Sequence, residues 1–497
     1  MGEIKPRWEW RSFGDRYPAD KARLAALQPS APKDSDELYL LNGDGDNVKV
    51  RDALMDIKVL KQVDPHGLEQ WIPVMKRSFP LPAAEVPAVL GALRLTTPST
   101  LRPDYSLEAF LADFAGPGRS VRAVEVHKRR VRYTVGGCMA EFSEVVADGR
   151  ATRTIAVEAE DASTVLAAVR ELGLGDYVNT SYPRGLAALV AGAAPRYAVI
   201  DVGTNSVKFH VAERRGDGRW RAVVDRAEVT RLGEGLGSEG RIAPAAIERT
   251  AAAIRGMAEE ARREGARAIA AVGTAGLRMA PNRAEALAAF EAASGLRVEV
   301  ISGEEESRLA YVATVEGLDA ADGPIVVFDT GGGSTQFTFG HGARVDDRFS
   351  VDVGAVRYTE RFGLDRAVSP QVLRTALDAI ARDLARLDGR ASPRALVGMG
   401  GAITNITAVM HGLATYDPAL VQGSVLARSE VDRQIELYCG RDADGRRGIV
   451  GLQPKRAEVI LAGACIVRTV MEKLGQQAVI VSDRGLRHGV LAERFGA

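Results

Sequence analysis

Charged and apolar residues alternate in short segments of the first 190 residues. Three such segments are DIKVLK (56–61), VHKRRVRY (126–133) and TIAVEAE (154–160). A period of two predicts β-strands with one apolar and one charged face. The ordinary interpretation is an antiparallel sheet with a solvated charged face. Here, however, the earlier strands carry Lys and Arg while the last carries Glu158 and Glu160, so one surface would combine anion-holding bases with cation-liganding carboxylates.

From Tyr197 onward the pattern changes, and apolar strands alternate with amphipathic helices. Residues 245–264 place apolar side chains on one helical stripe, which Gly265 ends, and strands are predicted at 268–272 and 298–301. This rhythm predicts α/β layering, with functional residues at the carboxyl ends of strands.

Two strands of this second half end in the same way. IVVFDTGGGSTQF (325–337) and YAVIDVGTNSVKF (197–209) each run from apolar residues into Asp, Gly and Ser, and ALVGMGGAITNI (395–406) adds a third glycine turn. Gly-rich backbone presents N–H groups that no side chain shields from a phosphate. The Asp that follows each of the first two strands can hold a cation against the phosphate oxygens. We therefore predict a duplicated phosphate-handling lobe with a cleft between the copies.

A third feature is the segment SGEEESRLAYVA (302–313). Ser302 and Glu305 have the spacing of a capping box, and acidic residues in a first turn favour the helix dipole. This explains Glu304 and Glu305 but leaves Glu306 unassigned. A carboxylate at the mouth of the cleft could orient or deprotonate a water, which makes Glu306 a candidate catalytic residue.

Bulk composition restricts the partners. At 497 residues the chain is long enough for about three domains. Lys and Arg together number 65, as do Asp and Glu, so the overall charge favours neither nucleic acid nor a membrane surface as a partner. Three dispersed cysteines argue against a disulfide framework, and the dispersed histidines argue against a histidine metal site. With no signal peptide and no apolar stretch long enough to span a membrane, we expect a cytoplasmic protein.

The alternating strands resemble the CYTH family of triphosphate tunnel domains over residues 8–184. That family closes its strands into a barrel lined by Lys, Arg and Glu around a triphosphate and divalent cations. WEWRSF (8–13) stands where the family has E-x-E-x-K, and only Glu9 and Arg11 match parts of it. The departure argues against catalysis in this domain, whereas binding of a polyanion needs less. The resemblance implies these tunnel-lining residues: Glu9, Arg11, Arg51, Lys58, Lys76, Lys128, Arg130, Glu158 and Glu160.

Over residues 197–495, eight segments resemble the exopolyphosphatase / guanosine pentaphosphate phosphohydrolase (Ppx/GppA) family in order. They are DVGTNS, VGTAGLRMAPN, SGEEESR, FDTGGGST, VDVGAVR, GMGGAITN, PKRAEVILAGA and SDRGLRHG. The resemblance implies an actin-like α/β fold, with two ribonuclease H-like lobes around a phosphate cleft. It also implies removal of terminal phosphoryl groups from inorganic polyphosphate, or of the 5′ γ-phosphate from guanosine pentaphosphate, with Mg²⁺. Family members commonly pair, so we expect a homodimer.

Residue by residue, the resemblance makes Glu306 the carboxylate that activates water, and Asp201 and Asp329 the metal ligands. It implies a phosphate site formed by Gly203, Thr204, Asn205, Ser206, Arg278, Gly331, Gly332, Gly333, Ser334, Thr335 and Gln336. Arg231, Arg357 and Arg487 are further candidates, each equally suited to a salt bridge between lobes.

Two residues depart from the family pattern. Gln336 stands where the family usually has a glutamate, and an amide can neither carry charge nor accept a proton, so we expect lowered activity. His488 stands where Glu is common, at the cleft edge or in a structural turn. The chain also stops at Ala497, without the helical HD-like domain of longer family members, so we expect any long-chain clamp to come from elsewhere, such as the barrel.

These patterns predict an antiparallel CYTH-like barrel at 1–190, a linker at 191–196, phosphatase lobe I at 197–320 and lobe II at 321–497. The leading hypothesis is metal-assisted hydrolysis of a terminal phosphoanhydride. The alternatives are a polyphosphate- or alarmone-binding module with little turnover, and a sugar or acetate kinase of the same superfamily. A pure scaffold would leave the two Asp-headed loops unexplained.

Overall fold

A computed structural model describes residues 5–14, 17, 27–43, 45–115, 118–234, 236, 240–315, 323–342 and 344–496. By internal packing the chain forms two compact units. The first holds residues up to 272 with 279–299, and the second holds 273–278 with 300–496. The predicted boundary between the lobes, at 320 and 321, lies outside the described residues. No helix in the described ranges is long and apolar enough to cross a membrane.

The first unit begins with a closed barrel of eight antiparallel strands, in the order β1-β10-β9-β8-β2-β3-β4-β5. Strands β6 and β7 form a separate two-stranded ladder. The elements of this region are β1 (Arg7–Gly14), β2 (Lys33–Leu41), β3 (Asn47–Arg51), β4 (Leu54–Val63), β5 (Glu69–Ser78), β6 (Leu81–Pro82), α1 (Val86–Ala92), β7 (Asp104–Tyr105), α2 (Leu107–Phe114), β8 (Arg122–Val135), β9 (Cys138–Ala147), β10 (Arg150–Ala159), α3 (Ala162–Glu171) and α4 (Tyr182–Val190). The predicted antiparallel barrel is therefore confirmed.

The alternation within these strands separates two faces of the barrel wall. On the outer face, apolar residues such as Val48, Val50 and Met55 pack with helices α1 and α2 in one buried cluster. The inner face carries charged side chains together with a second apolar cluster. Strands β3 and β4 therefore need an apolar outer stripe for the covering helices and a mixed inner stripe, which explains their period-two pattern.

Helix α4 closes part of the barrel interior. Its Tyr182 packs edge-on against Phe13 of β1 and stacks on Tyr39 of β2, with ring centroids 5.3 and 5.1 Å apart respectively. Because β1 and β2 are not neighbours in the barrel, a ring that contacts both lies inside it. A Cβ on Gly185 would come within 2.2 Å of the Phe13 ring, so only glycine lets the helix approach this closely.

The rest of the first unit is a five-stranded sheet in the order β13-β12-β11-β14-β15. Its elements are β11 (Arg196–Val202), β12 (Ser206–Arg214), β13 (Trp220–Val229), α5 (Pro244–Arg263), β14 (Ala266–Gly273), α6 (Ala275–Met279), α7 (Arg283–Ser294) and β15 (Val298–Val300). Helix α5 begins at Pro244 and buries the predicted stripe, including Ile247, Ile254 and Ala258. The predicted strands and helices of this region are therefore present.

A short segment after α3 joins the barrel to this sheet. The Val178 N–H donates to the Arg267 carbonyl at 2.8 Å, and the Ile269 N–H donates to the Asp176 carbonyl at 2.7 Å, so the segment pairs with β14. Two residues later, the Thr180 N–H donates to the carbonyl of Arg11 in β1 at 2.8 Å. The barrel and the sheet are thus connected by backbone hydrogen bonds as well as by chain continuity.

The second unit is built on a six-stranded sheet in the order β18-β17-β16-β19-β21-β20. Its elements are α8 (Gly303–Val315), β16 (Pro324–Thr330), β17 (Thr335–His341), β18 (Arg344–Val351), α9 (Ala355–Phe362), α10 (Pro370–Asp383), β19 (Ala395–Met399), α11 (Gly401–Met410), α12 (Pro418–Val421), β20 (Val425–Ala427), α13 (Arg428–Cys439), α14 (Ala443–Arg447), α15 (Ile460–Lys473), β21 (Ala478–Ser482) and α16 (Leu486–Phe495), with 3₁₀ turns at Ala385–Leu387 and Pro454–Arg456. In the first sheet β11 pairs with β12, β12 pairs with β13, and β14 lies on the other side of β11. In the second sheet β16, β17, β18 and β19 are arranged in the same way. The predicted duplication is therefore confirmed at the level of strand order.

Candidate active site

The chain that follows β13 donates hydrogen bonds to the loop after β11, residues 203–206. The Gly203 N–H donates to the Ser206 carbonyl at 3.1 Å, which closes a tight turn. The carbonyl of Thr204 accepts from the Gly233 N–H at 2.8 Å, and that of Asn205 accepts from the Arg231 N–H at 2.9 Å. Within the described chain, the N–H groups of Thr204 and Asn205 donate to no protein acceptor. The loop thus has its carbonyls satisfied and amides available for an anion.

The loop after β16, residues 331–334, repeats this arrangement in the second unit. The Gly331 N–H donates to the Ser334 carbonyl at 2.9 Å, and the first turn of α9 donates to the carbonyls of Gly331 and Gly332, both at 2.9 Å. A Cβ on Gly354 would lie 2.4 Å from the Gly332 carbonyl oxygen, so glycine is required for this approach. Among residues with described positions, the amides of Gly332, Gly333 and Ser334 have no protein acceptor.

Asp201 and Asp329 occupy corresponding positions before these loops. Asp201 is buried, and the Lys208 ammonium lies 3.5 Å from its carboxylate across the β11–β12 ladder. Asp329 lies at the end of β16 next to the third glycine turn: a Cβ on Gly400, whose φ is +90°, would be 2.3 Å from its Oδ1. The backbone of Gly400 therefore packs directly against this carboxylate, an approach that a residue with a side chain would block.

Arg456 lies in the PKRAEVILAGA segment and is a functional candidate that the sequence pattern alone does not single out. Burial lowers the pKa of Arg456, and the charge of Asp329 partly opposes that shift. Its guanidinium packs against the third glycine turn, because a Cβ on Gly401 would lie 2.5 Å from Nη2. The second unit therefore brings a half-buried cation close to the predicted metal ligand.

Glu306 and Arg278 form an ion pair in the second unit. Arg278 Nη1 donates to Glu306 Oε2 at 2.8 Å and to the Ile301 carbonyl at 3.1 Å. Their side chains remain about a quarter exposed, at 26% for Arg278 and 24% for Glu306. The candidate base and the candidate phosphate-binding guanidinium are therefore neighbours that solvent can reach.

The remaining predicted residues of the phosphatase region have local roles. Gln336 lies opposite Asp329 in the β16–β17 ladder, and its Nε2 donates to Ser334 Oγ at 3.1 Å. Thr335 Oγ1 donates to the Val353 carbonyl at 2.6 Å. His488 Nδ1 accepts the Gly485 N–H at 3.1 Å at the start of α16, which favours the structural-turn interpretation.

For Arg231 and Arg357, hydrogen bonds from the backbone N–H groups to the two loops are observed, at 2.9 and 3.2 Å. Arg487 lies beside Gly485 at the start of α16, with Nη1 3.8 Å from where a Cβ on that glycine would be.

In the barrel, strand register shows which predicted residues share the inner face. Residues directly opposite each other in a ladder point to the same face. Glu9 lies opposite both Glu158 and Glu69, and Lys76 lies opposite Asp56. By this rule the inner face holds Glu9, Arg11, Arg51, Lys58, Lys76, Lys128, Arg130 and Glu158. Glu160 follows β10 and pairs with Lys5 at 3.3 Å on the exposed surface.

Glu37 is the carboxylate around which the basic side chains of the barrel gather, and it is absent from the residues predicted from the sequence. Its fully buried carboxylate lies 2.8 Å from Lys128 and 3.1 Å from Lys49, with Arg51 and Arg130 at 3.7 and 3.9 Å. Four cations therefore surround one anion. The signal was present in the alternation of DELYLL (36–41), where Glu37 and Tyr39 share a face.

The two carboxyl groups of the facing pair Glu9 and Glu158 have pKa values shifted in opposite directions. Burial opposes ionisation of Glu9, but Arg11, whose Nε donates to Glu9 at 2.7 Å, and Lys58 lower its pKa. Burial and the neighbouring Glu9 charge raise the pKa of Glu158. Glu158 therefore holds a proton more readily than Glu9.

The comparisons agree with the duplicated α/β fold that carries these two glycine loops. The model of the Ppx/GppA phosphatase family matches residues 211–496. Because that is more than half of the chain, the protein belongs to the Ppx/GppA phosphatase family and is a hydrolase with the actin-like fold. The predictions of family, fold class and hydrolytic activity are confirmed. The barrel lies outside the matched residues, and its closed eight-stranded architecture is the one that the CYTH resemblance implies.

Three relatives illustrate the match. Exopolyphosphatase 2 of Mycobacterium tuberculosis is 31% identical over 329 residues, covering 61% of this chain and 100% of the relative. A crystal structure of the Aquifex aeolicus Ppx/GppA phosphatase is 31% identical, with a TM-score of 0.55, covering 61% of this chain and 99% of that one. A bifunctional 3-dehydroquinate synthase/phosphatase of Fusobacterium nucleatum is 26% identical over 307 residues, covering 60% of this chain and 46% of the relative.

Proposed function

We propose that this protein is an exopolyphosphatase, which hydrolyses the terminal phosphoanhydride of inorganic polyphosphate and releases orthophosphate. The observation that carries the proposal is the Arg278–Glu306 pair at 2.8 Å, in a chain of the Ppx/GppA phosphatase family. A carboxylate beside a phosphate-binding guanidinium can orient or deprotonate a water next to the bound phosphoryl group. The Mycobacterium tuberculosis relative, named exopolyphosphatase 2, supports polyphosphate as the substrate.

Each part of the site has a separate role in this proposal. The amides of residues 203–206 and 331–335 bind phosphate oxygens, and Arg278 pairs with the terminal group. Glu306 accepts a proton from the attacking water, so no covalent enzyme intermediate is needed. Gln336 binds by hydrogen bonding through its amide.

Asp201 and Asp329 are the residues that would hold Mg²⁺. They fit that ion because carboxylate oxygens are its preferred ligands and because each Asp lies at a strand end directly before a glycine loop with amides available for phosphate. When bound, Mg²⁺ supplies neutralisation of the charge on the phosphate oxygens.

A substrate panel tests the proposal. Purified full-length protein is incubated with long-chain polyphosphate, tripolyphosphate, guanosine pentaphosphate and ATP, with Mg²⁺ or with EDTA, and released orthophosphate is measured. We expect Mg²⁺-dependent release that is fastest from polyphosphate. Faster release from guanosine pentaphosphate would identify the protein as a guanosine pentaphosphate 5′-phosphohydrolase instead, and absence of release from every substrate would contradict both.

The second candidate function is a polyphosphate- or alarmone-binding module with weak turnover. The observation that favours it is Gln336, which brings an amide rather than a carboxylate next to Asp329. Tight Mg²⁺-dependent binding of labelled polyphosphate, without release of orthophosphate, would select this function.

For the barrel we propose a supporting role in binding the polyanion and delivering its end to the phosphatase region. The support is the excess of Lys and Arg around Glu37 on its inner face. We further propose a cytoplasmic homodimer that binds neither nucleic acid nor membranes. The three cysteines, all unpaired, are consistent with a reducing compartment. Analytical ultracentrifugation of the full chain tests the dimer, since a single species of monomer mass would contradict it.

A further inference from the structure

Three consecutive glutamates begin helix α8, and each of them is bonded to a different arginine. Glu304 accepts from Arg348 of β18 at 2.8 Å, and Glu306 accepts from Arg278 at 2.8 Å. Glu305 accepts two hydrogen bonds from Arg308, at 2.9 and 2.6 Å. One turn of helix thus carries three adjacent carboxylates whose cationic partners come from three separate places in the chain.

Arg308 also ties this turn to another helix. Its Nη2 donates to Glu493 Oε2 of α16 at 2.5 Å, so one guanidinium bridges two carboxylates. Helices α8 and α16 approach closely here, because a Cβ on Gly489 would lie 2.1 Å from the Leu309 carbonyl oxygen. The hydrogen bonds to Arg308 hold the pKa of Glu305 below its usual value, which keeps that carboxylate ionised and paired.

We propose that Arg308 is a positioning residue, which holds Glu305 away from Arg278 and fixes the first turn of α8 so that only Glu306 pairs with Arg278. The inference rests on the proposed function, in which Glu306 is the base and Arg278 binds phosphate. A free Glu305 carboxylate, one residue from Glu306 on the same turn, would be a second anion competing for the Arg278 guanidinium. Arg308 removes that competition because a planar guanidinium binds one carboxylate through two parallel hydrogen bonds.

The test compares R308A with a matched control, R433A. Arg433 makes the same two-bond contact with Glu430 at i−3 on α13, at 2.7 and 2.6 Å, so its loss removes an equivalent ion pair from another helix of the second unit. We expect R308A to lower kcat for the best panel substrate by about 10- to 100-fold, the scale of a misplaced catalytic group, with KM changed by less than about threefold. R433A should leave both constants unchanged.

A double variant separates positioning from a general loss of structure. If Arg308 acts by sequestering Glu305, then E305Q in the R308A background removes the competing charge, and kcat should recover at least about tenfold. A structural role for Arg308 predicts instead that the double variant is as slow as R308A or slower. If R308A does not fold, R308K and E493Q replace it in the comparison with the E305Q double variant. Each of them keeps part of the hydrogen bonding among Arg308, Glu305 and Glu493.

The inference also has a readout that is independent of turnover. In a crystal structure of R308A, the Glu305 carboxylate should lie within hydrogen-bonding distance of Arg278. An unchanged Glu305 position, or an R308A kcat equal to that of the wild type, would overturn the role of Arg308 while leaving the proposed function intact. Absence of turnover in the wild type would instead overturn the proposed function, and the crystal structure would still decide the positioning role.

Discussion

The guanidinium of Arg278 donates from one nitrogen, Nη1, to both the Glu306 carboxylate and the Ile301 carbonyl. The second contact anchors the arginine to the chain that enters α8, so Arg278 and Glu306 are fixed to the same short stretch of backbone. A phosphate that binds the remaining N–H groups of Arg278 would therefore lie next to the Glu306 carboxylate. In the proposed mechanism, this arrangement would hold the candidate base next to the phosphoryl group.

The first prediction concerns the base. E306Q removes the proton acceptor but keeps the size of the side chain and a hydrogen-bond acceptor for Arg278, so we expect kcat to fall by about 10²- to 10⁴-fold, the usual contribution of a general base. Binding of labelled polyphosphate should be nearly unchanged. E304Q is the matched control, because Glu304 is 76% exposed and pairs with Arg348 instead. Equal turnover by E306Q and the wild type would remove Glu306 from the mechanism.

The sequence could predict the elements that depend on local patterns. The strand endings at Asp201 and Asp329, the glycine loops and the helix start at Glu306 follow from a few adjacent residues, and the structure contains each of them. The partners of these elements could not be predicted in the same way. The Thr204 carbonyl is satisfied by Gly233, and the Gly332 carbonyl by the start of α9, through contacts that depend on how distant segments pack.

The barrel shows the same limit. Alternation predicts which side chains share a face, and register confirms that Lys128 and Arg130 lie on one face of β8 with Val145 and Ser143 opposite them. It does not predict that α4 enters the barrel, because Tyr182 and Gly185 have no periodic relation to the strands that they contact. Nor does it rank Glu37 above other glutamates, since its importance comes from four cations on two other strands, β3 and β8.

The second prediction concerns the departure at Gln336. Its side chain lies next to Asp329 in the ladder, so Q336E would place a second carboxylate beside the proposed metal ligand. We expect the Mg²⁺ concentration for half-maximal activity to fall and kcat to rise by about 3- to 10-fold, because an added anionic ligand strengthens the binding of a hard cation. A Mg²⁺ titration of phosphate release measures both. Q371E adds the same charge on the exposed surface of α10 and should change neither; a Q336E titration that coincides with the wild type would show that the residue does not tune the metal site.

The third prediction is an acid dependence of barrel stability. Burial would raise the pKa of Glu37, but Lys128 and Lys49 lower it to about 2, compared with 4.5 for an ordinary glutamate. Because the folded pKa is the lower one, Glu37 stabilises the fold above about pH 4.5, and this contribution is lost as the pH falls towards 2. At pH 7, E37Q leaves the buried cations without their anion and should lower the free energy of unfolding by about 3–5 kcal/mol.

Chemical denaturation over a pH series checks this prediction. The difference in free energy of unfolding between the wild type and E37Q should be largest above pH 4.5 and should shrink as the pH is lowered. E160Q, which breaks the exposed pair with Lys5, should cost less than about 1 kcal/mol. A difference for E37Q that stays constant across the pH series would show that its effect does not come from ionisation.

The fourth prediction tests whether the barrel binds substrate, with two adjacent arginines of β8. Arg130 faces the inside, where its Nε is buried and has no protein partner among the described residues, while Arg129 faces outward and is exposed. R130Q should therefore raise the KM for long-chain polyphosphate by about tenfold, the loss of one charge-assisted hydrogen bond, and leave the KM for tripolyphosphate unchanged. R129Q removes the same charge from the outer face and should affect neither.

Substitution is preferable to deletion of the barrel, because deletion would also remove the Asp176–Val178 pairing with β14. If R130Q and R129Q have the same KM for both chain lengths, the barrel does not deliver the polymer to the phosphatase region.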